Sequence, residues 1–451
     1  MIDIVIPNNN VSERKYIIDT VFKHFFNIEY NLIISKIDIS EYQFLFQDKK
    51  IIILDSFFSK YLDNLEYLNI KNIPYSLTYI RHDLMPEKDI PLLFGSGTMD
   101  IKEDVSIIDI DIFATIFFML TRWEEYVVLE RDKHNRFLET LSLAYKYNFL
   151  ERPIVNEYLE FLWNILAYMG FKEERTEHKS SLNLTHDIDE ILRYPTIKKV
   201  FVRMAGDIVL RKSLLLFFKT AIEYIDIFQK RKKDPYDTFS ELMDISESYN
   251  LKSSFFFMAG GTSSKRDNRY AINDKFLQET VSNIKERRHN IGIHPSYNAY
   301  NDFDQFKAEK KSLESLVKLP IVSGREHYLR FEVPTTWQIW NDNNMQWCSN
   351  MAYANIAGFR AGTCSSFYPF NILTQKKLQV LERPLIFMEA TFITQYKDDL
   401  VELEHRIDYY IRTVKKYNGS FIVLWHNSNF HTHSAKKYAY LYKYIINKFQ
   451  E

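Results

Sequence analysis

Residues 181–189 read SLNLTHDID, an alternating strand that runs into Asp187 and Asp189. Two residues apart on a strand, these carboxylates point to the same side. One could hold a cation while the other accepts a proton. An Asx turn or a helix N-cap would use the same residues. Recurrence of the pattern downstream decides the fold. KSSFFFMAGG (252–261) is an apolar strand closed by two glycines, and Asp274–Arg288 has helical spacing. HNIGIHPSY (289–297) is a strand and exit loop that delivers His294, and LPIVSGREHYL (319–329) a strand carrying Arg325 and His327. AGFRAGT (357–363) reads as a short strand or strand end with Arg360, and RPLIFMEATF (383–392) as a strand ending near Glu389. Asp398–Tyr417 is a helix, and SFIVLWHN (420–427) a last strand ending in His426 and Asn427. Strand and helix in alternation specify an α/β fold with a parallel sheet or barrel, whose active sites form at the C-terminal strand ends.

Asp, His and Arg side chains gathered at such ends suit metal-assisted hydrolysis. A cation held by carboxylate and imidazole lowers the pKa of its water from ~16 towards ~7. A neighbouring carboxylate then takes the proton, and a histidine on the opposite side protonates the leaving group. Arginines orient the base or hold an anionic part of the substrate.

These segments resemble the polysaccharide deacetylase (NodB-homology) superfamily. LTHDID resembles its first motif, a strand ending in Thr-Phe-Asp-Asp. KSSFFFMAGG is similar to its second strand, HNIGIHPSYN to the Gly-His-Glu-Ile-Gly-x-His segment, and SFIVLWHN to the strand with its catalytic histidine. The order agrees from Leu182 onward, and proteins of this kind from bacterial surface-glycan loci look similar over the N-terminal part too. The resemblance implies a distorted (β/α)7 barrel that removes an N-acetyl, O-acetyl or formyl group from a sugar. It implies Asp187 as general base, Asp189 and His294 as metal ligands, and His426 as general acid. The metal would be divalent, zinc first, with cobalt or manganese as alternatives.

Three departures from the pattern stand out. Ile188 separates the two acids. Asn298 stands where the family has a second histidine, which makes His327 the candidate third ligand and Asn298 the alternative. His186, beside Asp187 on a strand, should face away. The family's Arg-x-Pro-Tyr motif has two stand-ins, Arg325 and Arg360, and Glu389 would orient His426 or an arginine. Asn427 joins the substrate-binding set. The altered motifs keep a second reading open, a catalytically silent carbohydrate-binding or scaffold protein on the same barrel. An O-acyl esterase or deformylase would use the same site.

The chain has 451 residues, enough for two domains. Residues 1–175 read as a smaller α/β domain with strands in MIDIVI, NLIIS and KKIIILD. Its helical stretches are Lys15–Phe26, Ile110–Leu129 and Pro153–Met169. The charged stretch Phe171–Ser181 marks the boundary, and the barrel follows over 182–451. With 58 basic and 59 acidic residues the chain carries no general pull towards nucleic acid. Two cysteines, Cys348 and Cys364, exclude a disulfide scaffold. The opening MIDIVIPNNN lacks the marks of a secretory signal, so the expected location is cytoplasmic, with the inner face of the membrane as a further option. Residues 198–233 form an insertion with ten basic and three acidic residues, net +7, interleaved with Phe and Leu. A basic amphipathic segment of this kind fits peripheral membrane contact, or a helical pair packed on the barrel with a solvated face. The expected partners are a glycan or a lipid- or nucleotide-linked sugar.

Overall fold

A computed structural model describes residues 1–61, 65–176, 179–261, 266–267, 270–396 and 399–451. The chain divides into two compact units. One comprises Met1–Leu182, Tyr297–Lys307 and Val322–Ile422, the other Asn183–Ser296, Ala308–Ile321 and Val423–Glu451. The first unit therefore takes in segments that lie beyond the 175–182 boundary in sequence. Glu177 and His178 of that boundary lie outside the described residues.

The first unit contains a six-stranded mixed sheet. Its strands are β1 (Ile2–Ile6), β2 (Tyr30–Ile34), β3 (Glu41–Phe46), β4 (Lys49–Leu54), β5 (Gly95–Asp100) and β6 (Val105–Ile110), in the order β2-β1-β3-β4-β6-β5. Strand β1 alternates buried and half-buried residues, and β3 does the same, so one face carries the core. Helix α1 (Val11–Asp19) continues as a wider turn over Thr20–Phe26. Helix α2 (Ile112–Thr121) is buried throughout and N-capped by Asp111, which accepts from the Ala114 N–H at 2.9 Å. The helix expected over Ile110–Leu129 breaks at Arg122, whose φ is 54°. Helix α3 spans Ile154–Tyr168.

Eight further strands follow: β7 (Ser181–Ile188), β8 (Ser253–Phe257), β9 (Asn290–Ile293), β10 (Ser323–Gly324), β11 (Trp347–Cys348), β12 (Leu381–Glu382), β13 (Phe387–Met388) and β14 (Ser420–Leu424). The second unit carries the order β9-β8-β7-β14 and the first the order β12-β11-β10. Strands β7, β8 and β9 pair in parallel, as do β10, β11 and β12. The fold class is thus α/β, as the alternation requires. Every residue of β8 is buried, the mark of a strand covered on both faces.

Within the second unit the insertion folds as two helices, α4 (Ile197–Val209) and α5 (Leu214–Phe228). Helix α6 (Lys275–Glu286) starts at the Asp274 cap. Three sequence expectations need correction. Only Ser323 and Gly324 of LPIVSGREHYL are strand, because the chain turns at Tyr328 with φ 62°. AGFRAGT lies in turns, where Gly362 adopts φ +63° and a Cβ would meet Met119 at 2.8 Å. RPLIFMEATF is strand only at Phe387–Met388, and Glu389 opens helix α7 (Glu389–Tyr396). Helix α8 covers Leu400–Lys416, while Asp398 lies outside the described residues. Among the described residues no helix is long and apolar enough to cross a membrane. Both cysteines are buried free thiols.

Candidate metal centre

In the second unit, β7 sets Asp187 opposite Phe256 and Ile188 opposite Phe257 on β8. Asp187 is buried, and Asp189 follows the strand, half-buried. Tyr270 holds the backbone between them: its hydroxyl donates to the Ile188 carbonyl at 2.7 Å and accepts from the Met258 N–H at 2.7 Å. At the end of β9 the His294 N–H donates to the Phe257 carbonyl at 2.8 Å. Two residues on, the Ser296 N–H donates to Glu309 at 2.7 Å, which anchors the exit loop. These constraints bring buried His294 to both acids. Its Nε2 lies 3.4 Å from Asp189 Oδ1, and its Nδ1 lies 3.9 Å from Asp187 Oδ2.

His186 points away from this group. Its Nδ1 pairs with the Trp425 carbonyl at 2.7 Å and its Nε2 with Ser253 Oγ at 3.1 Å, while the ring stacks on Phe255. Strand β14 runs beside β7, with the Trp425 N–H donating to the Thr185 carbonyl at 3.0 Å. His426 and Asp187 therefore stand at the ends of neighbouring strands, His426 half-buried. Asn427 does local work: its Nδ2 donates to the carbonyls of Glu190 (2.9 Å) and Tyr236 (3.0 Å).

In the first unit His327 is buried and opens the turn His327–Leu329. Arg325 is fully buried and donates to the carbonyl and hydroxyl of Ser349 at 2.9 and 3.0 Å. Asn298 is exposed, and its side-chain oxygen accepts from Arg330 at 3.3 Å. The Arg330 guanidinium lies 3.9 Å from the ring centroids of both Tyr297 and Tyr300. Arg360 forms a two-pronged ion pair with buried Glu125 at 2.9 and 2.5 Å, and its third nitrogen donates to the Ala352 carbonyl. Arg122 pairs with the same Glu125 and with Glu124. Burial pushes the Glu125 carboxyl up, but Arg360 and Arg122 outweigh it and leave the pKa at about 2. Glu124, where burial prevails, rises to about 7. Glu389 is fully buried at the start of α7.

Asp189 and His294 of the second unit each offer one ligand atom, and His327, the candidate third ligand, belongs to the first unit. Two imidazoles and a carboxylate are a ligand set that zinc accepts, with a fourth position left for water. Bonds of ~2.1 Å put tetrahedral ligands about 3.4 Å apart. The Asp189–His294 separation equals that spacing, so this pair fits a divalent cation.

Sequence reasoning missed Tyr270 and Glu309, which fix the two backbone segments carrying Asp189 and His294. Tyr270 sits in a polar stretch without periodicity, and Glu309 in a helix where an acid is unremarkable. Neither leaves a local signal.

A family model described as a family of unknown function, DUF7033, matches residues 2–170. No curated protein matches the sequence. Among solved structures the chain is similar to a Mycobacterium smegmatis protein assigned as a polysaccharide deacetylase. The identity is 10 % and the TM-score 0.38, over 60 % of this chain and 85 % of that one. It is also similar to BA3943 of Bacillus anthracis, a CE4 family pseudoenzyme, with 12 % identity and TM-score 0.32 over 61 % of this chain and 62 % of that one. A mutant of that pseudoenzyme with restored activity aligns at 12 % identity and TM-score 0.31, over 60 % and 65 %. The aligned part spans less than two thirds of the Bacillus protein.

Proposed function

We propose that this chain is a metal-dependent hydrolase that removes an acyl group, N-acetyl first, from a sugar of bacterial surface-polysaccharide metabolism. The observation that carries the reading is His294 standing 3.4 Å from Asp189, with Asp187 beside the same imidazole. The motif resemblance from residue 182 onward supplies the substrate class. Asp189, His294 and His327 would hold the cation. When bound, the cation supplies Lewis-acid activation of water and of the acyl carbonyl.

The remaining steps fall to side chains. Asp187 takes the proton of the attacking water, and His426 gives a proton to the departing sugar nitrogen. Tyr270 and Glu309 keep the ligand-bearing loops in register. Arg360 belongs to the buried ion-pair cluster, because all three of its guanidinium nitrogens are engaged by Glu125 and Ala352. The sugar carrier, whether lipid, nucleotide or polymer, follows the same chemistry at the acyl group.

A second reading, a site that binds sugar without turnover, draws on Asn298, which is exposed and held by Arg330 where the resembled family has a histidine. Acetate release from N-acetylglucosamine oligomers separates the two. A hydrolase releases acetate when zinc-loaded, stops when the metal is chelated and recovers when zinc is returned. Metal-loaded protein that binds the oligomers and releases no acetate would favour the silent reading.

A further inference from the structure

The insertion presents the largest concentration of exposed apolar side chains among the described residues. Among the described residues, twelve of the thirty exposed large hydrophobic side chains fall between Ile197 and Phe228. On α4 they include Ile197, Phe201, Ile208 and Val209, and on α5 Leu214, Leu215, Phe218, Ile222 and Ile225. Spacings of three and four residues put much of each set on one side of its helix. These side chains are far from marginal, with Phe201 at 62 % and Leu214 at 65 % exposure. Such a face is costly to leave in water.

The hairpin itself is firmly built. Thr196 and Ser213 cap the two helices. Asp207 of α4 accepts from Thr220 of α5 at 2.6 Å. Arg203 joins the hairpin to Glu190 at 2.7 Å, and the Asp234 carboxylate takes the N–H groups of Arg193, Tyr194 and Tyr236. Asn427 donates to Glu190 and Tyr236, one residue on each side of the insertion. The apolar face is thus held outward on a rigid base.

Charge decides what covers it. All three acids of the insertion are neutralised within the unit: Asp207 by Arg211, Glu223 by Arg193, and Asp226 by Lys232 and Arg231. Lys198, Lys212, Lys219, Lys230 and Lys233 are exposed. An apolar stripe edged by exposed lysines is poorly suited to a protein interface, where lysine is depleted. It suits an anionic bilayer, where apolar side chains enter the headgroup boundary and lysine stems reach the phosphates. We propose that α4 and α5 form a peripheral membrane-docking hairpin for anionic lipid. Docking of this kind does not depend on whether the metal centre is active.

Co-sedimentation of the full chain with vesicles tests it. One set contains equal parts of phosphatidylglycerol and phosphatidylcholine, the other phosphatidylcholine alone. The expected result is binding to the anionic vesicles that weakens as salt rises. Phe201→Asp with Phe218→Asp should lower partitioning at least tenfold, and Lys212→Glu with Lys219→Glu about tenfold at low salt. Both phenylalanines are exposed, and circular dichroism like that of the parent chain verifies that each double variant folds. A parent chain that stays in solution with both vesicle types would overturn the proposal. So would a Phe variant that binds as the parent does. A parent chain that elutes as a dimer split by Phe218→Asp would assign the face to a second copy and equally overturn it.

Discussion

His294 Nε2 stands 3.4 Å from Asp189 Oδ1, while the nearest contact of the same ring with Asp187 is 3.9 Å, through Nδ1. The two acids differ in setting as well: Asp187 is buried at the end of β7, and Asp189 is half-buried beyond it. The asymmetry supports Asp189 as the ligand and Asp187 as the proton acceptor. Asp189→Asn should weaken metal affinity more than tenfold. Asp187→Asn should retain metal and lower kcat by about 10²–10⁴, the usual weight of a general base. Metal titration together with acetate-release kinetics reads both.

His186 is engaged away from His294 and Asp189, by the Trp425 carbonyl, Ser253 Oγ and the Phe255 ring. Replacing it with Phe removes its pairing with the Trp425 carbonyl and Ser253 Oγ. Ser253 Oγ keeps its bond to Ser246 Oγ at 2.7 Å, and leaving the buried Trp425 carbonyl without this partner should cost about 1–3 kcal/mol in urea unfolding. Metal stoichiometry should be unchanged, because the ring faces away from His294 and Asp189.

The Glu125 cluster sets an acid limit. Its carboxyl is held at about 2 in the folded chain, below the ordinary 4.5. A depressed carboxylate contributes stability that is present above the ordinary value and lost as pH falls towards the folded one. Urea midpoints should therefore drop on acidification below about pH 4.5. Glu124 works in the opposite sense, since a value raised to about 7 makes its ionisation unfavourable to folding as pH rises from 4.5. Glu125→Gln should destabilise by about 3–5 kcal/mol at neutral pH, the cost of leaving buried guanidinium charge unpaired.

Tyr270→Phe removes the hydroxyl that bridges the Ile188 carbonyl and the Met258 N–H. Folding should weaken by about 1 kcal/mol. Turnover should fall several-fold with bound metal unchanged, the pattern of a positioning residue. Loss of metal in this variant would show that Tyr270 holds the ligand itself in place.

Periodicity and burial made part of this architecture readable. KSSFFF and SFIVLW are apolar almost without interruption, so β8 and β14 could be placed, and Asp274 marked the start of α6. Other elements depend on partners distant in sequence. Arg122 breaks the expected long helix with φ 54° while its guanidinium engages Glu124 and Glu125. Strands β10 to β13 are two residues each, too short for any alternation to register. Asp187, Asp189 and His294 stood out in sequence as polar residues at strand ends, and the structure brings them together, whereas Tyr270 and Glu309 act through backbone contacts that no spacing encodes.

Equilibrium binding of zinc to the metal-stripped chain tests the metal centre most directly. One ion per chain is predicted, with binding lost in His294→Ala and in Asp189→Ala. A stripped chain that takes up no zinc, or that binds it undiminished in both variants, would contradict the assignment.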